Sequence, residues 1–442
     1  MKRWLTALLL TAILSGCTHH STDAEQRTVS ELTTHMTTRG LGRYLIDLPP
    51  TWRFGSGEVT LYYGLGTDFK TVEVKIIGQD VTPLQFQAAM AWRAKRIQGV
   101  TNDKTRRSML VGSWPVDVRI DDGQGGKGRQ AMLLRYYRRT NGDTSFVHEV
   151  HLLLDSTYVQ LKAESFNDSD SPGYRSDAVE NRLKTLARQI FLVTDPARAD
   201  PGFILGPIVI DGPQDHEQAT VEFYDPQQRD VTLEINSNAV TPDESRHLLQ
   251  RMDESATLFR ERGAHIHTLQ RGQRAFAGMR GEEVCIAADS KVEKGQTIRE
   301  LLFNAETYRP DPSLLKPTLM VQLETGGNVH WDSDAERATR RATADYLMNP
   351  KRLPSFIVTD DDPYNAPPPP TPVTSSLTDH EATAVWNAIL PTIRPRPGAV
   401  APTKPKEPLS PPPISREQAE RDRQVLDDFI ASRPGPLPNL ED

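Results

Sequence analysis

Two stretches of this chain echo each other so closely that any fold drawn for it has to contain one unit twice. The first is Gly42-Arg43-Tyr44-Leu45-Ile46-Asp47-Leu48-Pro49. It is an apolar run closed by an acid and a proline, and so reads as a short buried strand that cannot continue. The second is Gly206-Pro207-Ile208-Val209-Ile210-Asp211-Gly212-Pro213. The residues downstream of each copy also match: Thr71-Val72-Glu73-Val74-Lys75-Ile76 and then Val81-Thr82-Pro83 after the first, Asp230-Val231-Thr232-Leu233-Glu234-Ile235 and then Val240-Thr241-Pro242 after the second. From Val72 to Pro83 the register is kept residue for residue, the signature of an internal duplication.

Each copy carries the same alternation of patterns. Val59, Leu61 and Tyr63, then Val72, Val74 and Ile76, alternate with polar neighbours and predict half-buried antiparallel strands joined by a turn at 64–68. Thr82-Pro83 opens a helix, Thr as N-cap and Pro at the first helical position, with Leu84, Ala88, Ala91 and Trp92 read as its inner stripe. Strands come next at 131–137, 145–154 and 157–163. A closing helix from about Ser171-Pro172 carries Val179, Leu183, Leu186 and Ile190 at helical spacing. The second copy repeats the order. Its strands lie at 221–223, 231–235, 284–288, 298–303 and 318–323, with a capped helix from Thr241 (Leu248, Met252, Ala256, Phe259) and a last helix from about Ser333. The expected fold is therefore α+β, with two related domains at 39–194 and 201–360, each an antiparallel sheet with two helices.

The ends differ in character. Lys2 and Arg3 followed by the apolar run Trp4–Leu14 form a targeting segment too short to span a bilayer stably. It ends in Leu14-Ser15-Gly16-Cys17, which resembles the lipobox of bacterial lipoproteins; the competing reading is an ordinary secretory signal with an incidental Cys. In the lipobox reading residues 1–17 are the signal ending at the lipidated Cys17. Its acyl chains, at about 0.8 kcal/mol per buried CH₂, hold the protein on a membrane without a transmembrane helix. Thr18 rather than Asp after the Cys favours the outer membrane, facing the periplasm. Residues 18–38, with His19 and His20, read as a solvated linker. At the far end, 363–442 holds 18 of the 34 prolines and reads as a largely disordered extended tail, with helical islands at 379–390 and 415–431. That polar segment accounts for only 37% hydrophobic residues and a mean hydropathy of -0.53.

No catalytic constellation stands out, and the chain is read as no enzyme, with no cofactor and no metal. His148-Glu149-Val150-His151 lacks the i, i+4 histidines of a helical zinc motif, and as a strand it sends His148 to one face and Glu149 with His151 to the other. His265 and His267 share one strand face without a third ligand. Gly123-Gln124-Gly125-Gly126-Lys127-Gly128 precedes no helix and reads as a hairpin loop. Asp121-Asp122 and Asp360-Asp361-Asp362 are read as solvated loop acids, and no Gly-x-Ser-x-Gly elbow occurs. Cys285, within Val284-Cys285-Ile286-Ala287, reads as a small buried hydrophobe. A net charge of -7 offers no basic face for nucleic acid.

The signal, the linker, Gly-Arg-Tyr-Leu-Ile-Asp-Leu-Pro and a second domain opening Gly202-Phe203-Ile204-Leu205-Gly206 together resemble the immunity lipoproteins of type VI secretion lipase (phospholipase) effectors. The resemblance covers about 39–358; the Pro-rich tail departs from it. It implies an inhibitor that captures a periplasm-targeted lipase toxin and blocks its active site with a two-lobed grip. The expected partners are the cognate lipase effector and a membrane through the lipid anchor. The motifs identify no toxin-contact residue. The alternative reading is a structural or scaffold envelope lipoprotein, favoured by the tail; a third is an uncharacterised hydrolase.

Overall fold

The computed structural model describes residues 21–63, 70–118, 129–169, 171–197, 201–212, 214–240, 247–261, 265–291, 296–309, 312–328 and 372–400. The body up to Val400 is one compact unit. It is α+β, with mostly antiparallel pairing and five α-helices among the described residues.

The chain enters through helix α1 (Asp23–Thr33), then hairpin β1 (Thr37–Leu41) and β2 (Tyr44–Leu48). The first half continues with β3 (Arg53–Tyr63), β4 (Lys70–Gly78), α2 (Pro83–Gln98), β5 (Leu110–Pro115), β6 (Arg129–Tyr137), β7 (Ser145–Leu154), β8 (Thr157–Phe166) and α3 (Ser176–Arg188). Three short strands, β9 (Ile190–Leu192), β10 (Phe203–Leu205) and β11 (Ile208–Ile210), pair with one another as the chain crosses over. The second half runs β12 (His216–Tyr224), β13 (Thr232–Asn238), α4 (Leu248–Glu261), β14 (His265–Gln273), β15 (Gly281–Lys291), β16 (Thr297–Thr307) and β17 (Thr318–Thr325). After β18 (Gly327–Asn328) the described chain resumes with β19 (Pro372–Val373), α5 (Asp379–Ile389) and β20 (Arg394–Pro395).

The long strands do not form two sheets. They make one 12-stranded sheet, ordered β14-β15-β16-β17-β13-β12-β3-β4-β8-β7-β6-β5. Read outward from the β12–β3 seam, each half has the same order: its first and second strands, then its last, and so back to the strand after its first helix. The separate sheets expected for the two copies are thus joined edge to edge. The reason is that β3 and β12 would each leave a row of unpaired N–H and C=O groups, and pairing them removes two open edges at once.

Strand alternation decides which side chains meet which helix. On β7, Val150, Leu152 and Leu154 enter the main core with Val179, Leu183 and Leu186 of α3. Val147 and Leu153 point the other way, into clusters completed by Phe86, Met90 and Ile97 of α2. The Thr82 cap is made as expected, its side chain accepting from Gln85 N while Gln85 returns the bond. The stripe is not the expected one: Leu84 is 70% exposed, and Phe86, Met90 and Ile97 face in. Phe86 and Met90 pack with Tyr158, and Ile97 with Tyr136, on the sheet face that α2 covers. Ile190 leaves α3's stripe to begin β9. In the second half α4 takes the place of α2, with Leu248 packed on Val284 and Ile286. The turn at 64–68, the start of the Thr241 helix and the Ser333 helix lie outside the described residues.

Two segments read as solvated are folded. Asp23–Thr33, within the expected linker, is a helix capped by Thr22 and Glu25 whose Leu32 reaches the core. A capping box in a polar context was the signal for it. The Pro-rich tail also contributes: its expected helical island is α5, capped by Thr378 and Glu381, and Leu377, Ala382, Val385, Trp386 and Ile389 are buried in the main core. The prolines flank this helix and do not interrupt it, so local composition concealed a core element. Trp386 packs against Phe303 with ring centroids 5.8 Å apart and planes tilted by 47°, and donates its indole N–H to Glu283 at 3.2 Å. The remainder of the tail, with the 415–431 island, lies outside the described residues. Trp386→Ala is expected to lower the unfolding free energy by about 3–5 kcal/mol, read as a fall in urea midpoint at unchanged slope.

Candidate functional site

The seam is where residues far apart in sequence are drawn together. β3 and β12 pair antiparallel, Val59 opposite Ala219 and Gly57 opposite Val221, with a bulge between Glu222 and Phe223 that re-aims the end of the strand. Just before β2, Arg43 is buried against Glu217 of β12. Its Nε donates to both carboxylate oxygens at 3.2 Å, its Nη2 to Oε2 at 3.0 Å, and its Nη1 to the Ala399 carbonyl at 2.5 Å. Gln214 Nε2 donates to the same carboxylate at 3.0 Å. Around this pair, Gly42 and Ile204 exchange backbone hydrogen bonds of 2.8 and 3.0 Å, and Arg396 N donates to the Arg43 carbonyl at 2.8 Å. The Arg396 guanidinium, itself buried, donates to the Gly202 carbonyl. Gly42 has φ of 58° and a Cβ there would lie 2.8 Å from the Phe203 ring, so both backbone and space require glycine.

At one end of the seam the surface opens into a cleft of about 900 Å³. Its wall comes from the start of β3 (Arg53, Phe54, Gly55), the end of β4 (Lys75, Ile77, Gln79), the end of β12 (Glu222, Tyr224) and the crossover near Gly206 and Pro207. Arg39 and Trp52 complete it. Gly206 sits at φ 55° against the Phe54 ring, with no room for a Cβ, which lets the crossover turn close on the cleft. The cleft is concave, partly aromatic and mixed in charge.

The sequence-predicted residues fall elsewhere. His148 to His151 lie on β7 and split between faces as expected. Glu149 accepts from Arg93 (Nη2 to Oε1, 2.7 Å) and Tyr136 (2.7 Å) and lies 3.0 Å from His151 Nε2; His151 Nδ1 is 2.7 Å from the Tyr158 hydroxyl. Burial would raise the Glu149 carboxyl, but His151 and the Arg93 guanidinium prevail and hold it well below the usual range. It is saturated, under α2, and presents nothing to a substrate. On the other face His148 sits 2.8 Å from Ser165 Oγ. Burial, with Arg135 and Lys184 nearby, pushes its imidazole down to about 3. His265 and His267 share an exposed face of the edge strand β14. Cys285 is buried, and desolvation pushes its thiol up. Among the described residues no group of three or more His, Cys, Asp or Glu could hold a metal ion. Cys17, His19, His20, the 123–128 loop, Asp121-Asp122 and Asp360–Asp362 lie outside the described residues.

Neither the ion pair nor the cleft was singled out from sequence. The signal for the first was Arg43 itself, a charge at the mouth of an apolar strand where the second motif has Pro207; such a charge needs a buried partner. Nothing local marked Trp52, Arg53 and Phe54.

Seam and sheet define a class: an α+β body built on one extended antiparallel sheet. Comparison with known proteins gives the particular relatives. Residues 197–346 match the model of the family described as Tle cognate immunity protein 4 C-terminal domain. The chain is similar in fold to the crystal structure of a Tle4-Tli4 complex, with a TM-score of 0.51 and 21% identity over 83% of this chain and 99% of that one. A further neighbour is the apo structure of the type VI secretion immunity protein TplEi from Pseudomonas aeruginosa, with a TM-score of 0.49 and 21% identity over 82% and 97%. No curated protein matches the sequence. The immunity family suggested by the motifs is the family matched.

Two outcomes are expected. Arg43→Met, which leaves Glu217 charged in the interior, is expected to cost about 3–5 kcal/mol in urea unfolding, most of it recovered when Glu217→Met is added. The folded pKa of His148 lies below its unfolded value, so the neutral ring stabilises the fold above about pH 6.5 and that stability is lost as pH falls toward 3. Between about pH 7.5 and 5 the wild type should lose about 2 kcal/mol more than His148→Gln, a difference readable from paired urea curves.

Proposed function

We propose that this chain is the immunity partner of a type VI secretion lipase effector, held by a lipidated Cys17 on the periplasmic side of the outer membrane. It acts by binding and is not an enzyme. The observation that carries the reading is the immunity-domain match over 197–346, which spans the second half of the sheet. The likeness in fold over 83% of the chain supports extending it to the first half.

In this reading the two halves, 39–194 and 201–360, are copies of one ancestral unit, an inference supported by their common strand order about the seam. Together they grip the toxin and cover its active site. A standard specific interface needs roughly 1,600 Å² in total, and two halves enclose more surface than one. The lipid anchor places the inhibitor where an injected lipase meets its substrate.

Mature chain and cognate lipase, co-expressed, are expected to purify as a one-to-one complex with the lipase inactive. Cells carrying the chain should survive periplasmic delivery of the lipase, and Cys17→Ala should lower that protection. A chain that neither bound the lipase encoded beside it nor spared cells from it would end the proposal.

A further inference from the structure

The lining of the seam cleft specifies what it takes. Arg39 and Arg53 both border it, Arg53 exposed and Arg39 half-buried, and neither has a hydrogen-bond or ion-pair partner among the described residues. Several arginines of the body are tied to carboxylates, Arg93 to Glu149, Arg135 to Glu180, Arg299 to Asp289 and Asp379, and Arg394 to Asp47. Arg39 and Arg53 have no such tie and border the same cleft, which brings two guanidinium groups to one concave surface in a chain of net charge -7. Lys75 adds a third cation, engaged only at the surface by Glu58 at 3.5 Å. Of the two acids in the lining, Glu222 lies over Gly55, where a Cβ would be 3.0 Å from its Oε1, and Asp80 is exposed just past the end of β4.

Four aromatic residues, Trp52, Phe54, Phe223 and Tyr224, also line it. Phe54 meets Phe223 edge to face at 6.2 Å, and Tyr224 and Trp52 stand beside them. Trp52 is 1% exposed, and its indole N–H has no acceptor among the described residues. Arginine beside aromatic side chains on a concave floor is the composition of an interface anchor point. Guanidinium groups select carboxylates through paired charge-assisted hydrogen bonds.

We propose that this cleft is the docking point for an acidic extended segment of the partner lipase, with a carboxylate side chain held by Arg39 and Arg53 and its neighbours lying on Phe54 and Tyr224. The proposal rests on the immunity reading above and adds where, and by what chemistry, the partner is recognised.

The test uses the mature chain and its cognate lipase, with Arg39→Glu/Arg53→Glu in the chain and binding measured by calorimetry at low and high salt. Circular dichroism and the urea midpoint establish that the variant is folded. The expected result is an affinity loss on the order of 100-fold with most of the salt dependence removed, and partial recovery when an acid of the docked lipase segment is changed to Lys. If the wild type does not bind the lipase at all, the immunity reading falls and this proposal with it. If the wild type binds and the folded double variant binds equally well, only the cleft assignment falls. Loss of binding to phosphatidylglycerol vesicles with lipase affinity intact would also overturn it, in favour of a lipid headgroup.

Discussion

The buried contact between Arg43 and Glu217 is the constraint on which the rest of this architecture depends. It joins the first strand hairpin to β12, the seam strand of the second half, and through the Ala399 carbonyl it fastens the last described residues to both. Three segments distant in sequence thus share one desolvated cluster of charge. Such a pair is a poor source of net stability, because its attraction is offset by the loss of hydration. It ties the segment before β2 to β12 through a bidentate contact that neither side makes alone.

Given that lock, the continuous sheet is the natural outcome. Once β3 and β12 are edge to edge, each half extends outward through the same order of strands, and each sheet face needs a helical cover. In the first half α2 and α3 supply the two covers from within the unit itself. In the second, α4 covers one face, and α5 from the C-terminal segment packs in the main core against Phe303. The Thr378–Glu381 capping box starts α5 and its prolines lie outside it, so the segment contributes a core helix although its composition reads as extended.

The polar interior of the first half has a structural role. Glu149, Arg93, Tyr136, His151 and Tyr158 satisfy one another beneath α2, and His148 stays neutral beneath α3. These groups fix the helices on their faces by requiring specific partners, at the cost of making stability pH-dependent. The cleft at the seam differs: Arg39 and Arg53 border it together with aromatic side chains and the acids Glu222 and Asp80. A binding role and an internally saturated polar core are compatible, since the one leaves groups open at the surface and the other closes them inside.

What could be read from the residues alone was whatever is local and periodic. The alternation of Val72, Val74 and Ile76, the Thr82-Pro83 helix start, the strand character of His148–His151 and the burial of Cys285 each depend on a few neighbouring side chains. The matched motifs at Gly42 and Gly202 pointed to the immunity family. The edge-to-edge seam, the inward stripe of α2 and the core role of α1 and α5 were settled only by the tertiary structure. So were the Arg43–Glu217 pair and the cleft. Each depends on which surfaces compete for the same partner once the chain is closed. An open strand edge, a buried charge and an amphipathic turn all declare a need in sequence, but only the folded neighbourhood determines what meets it.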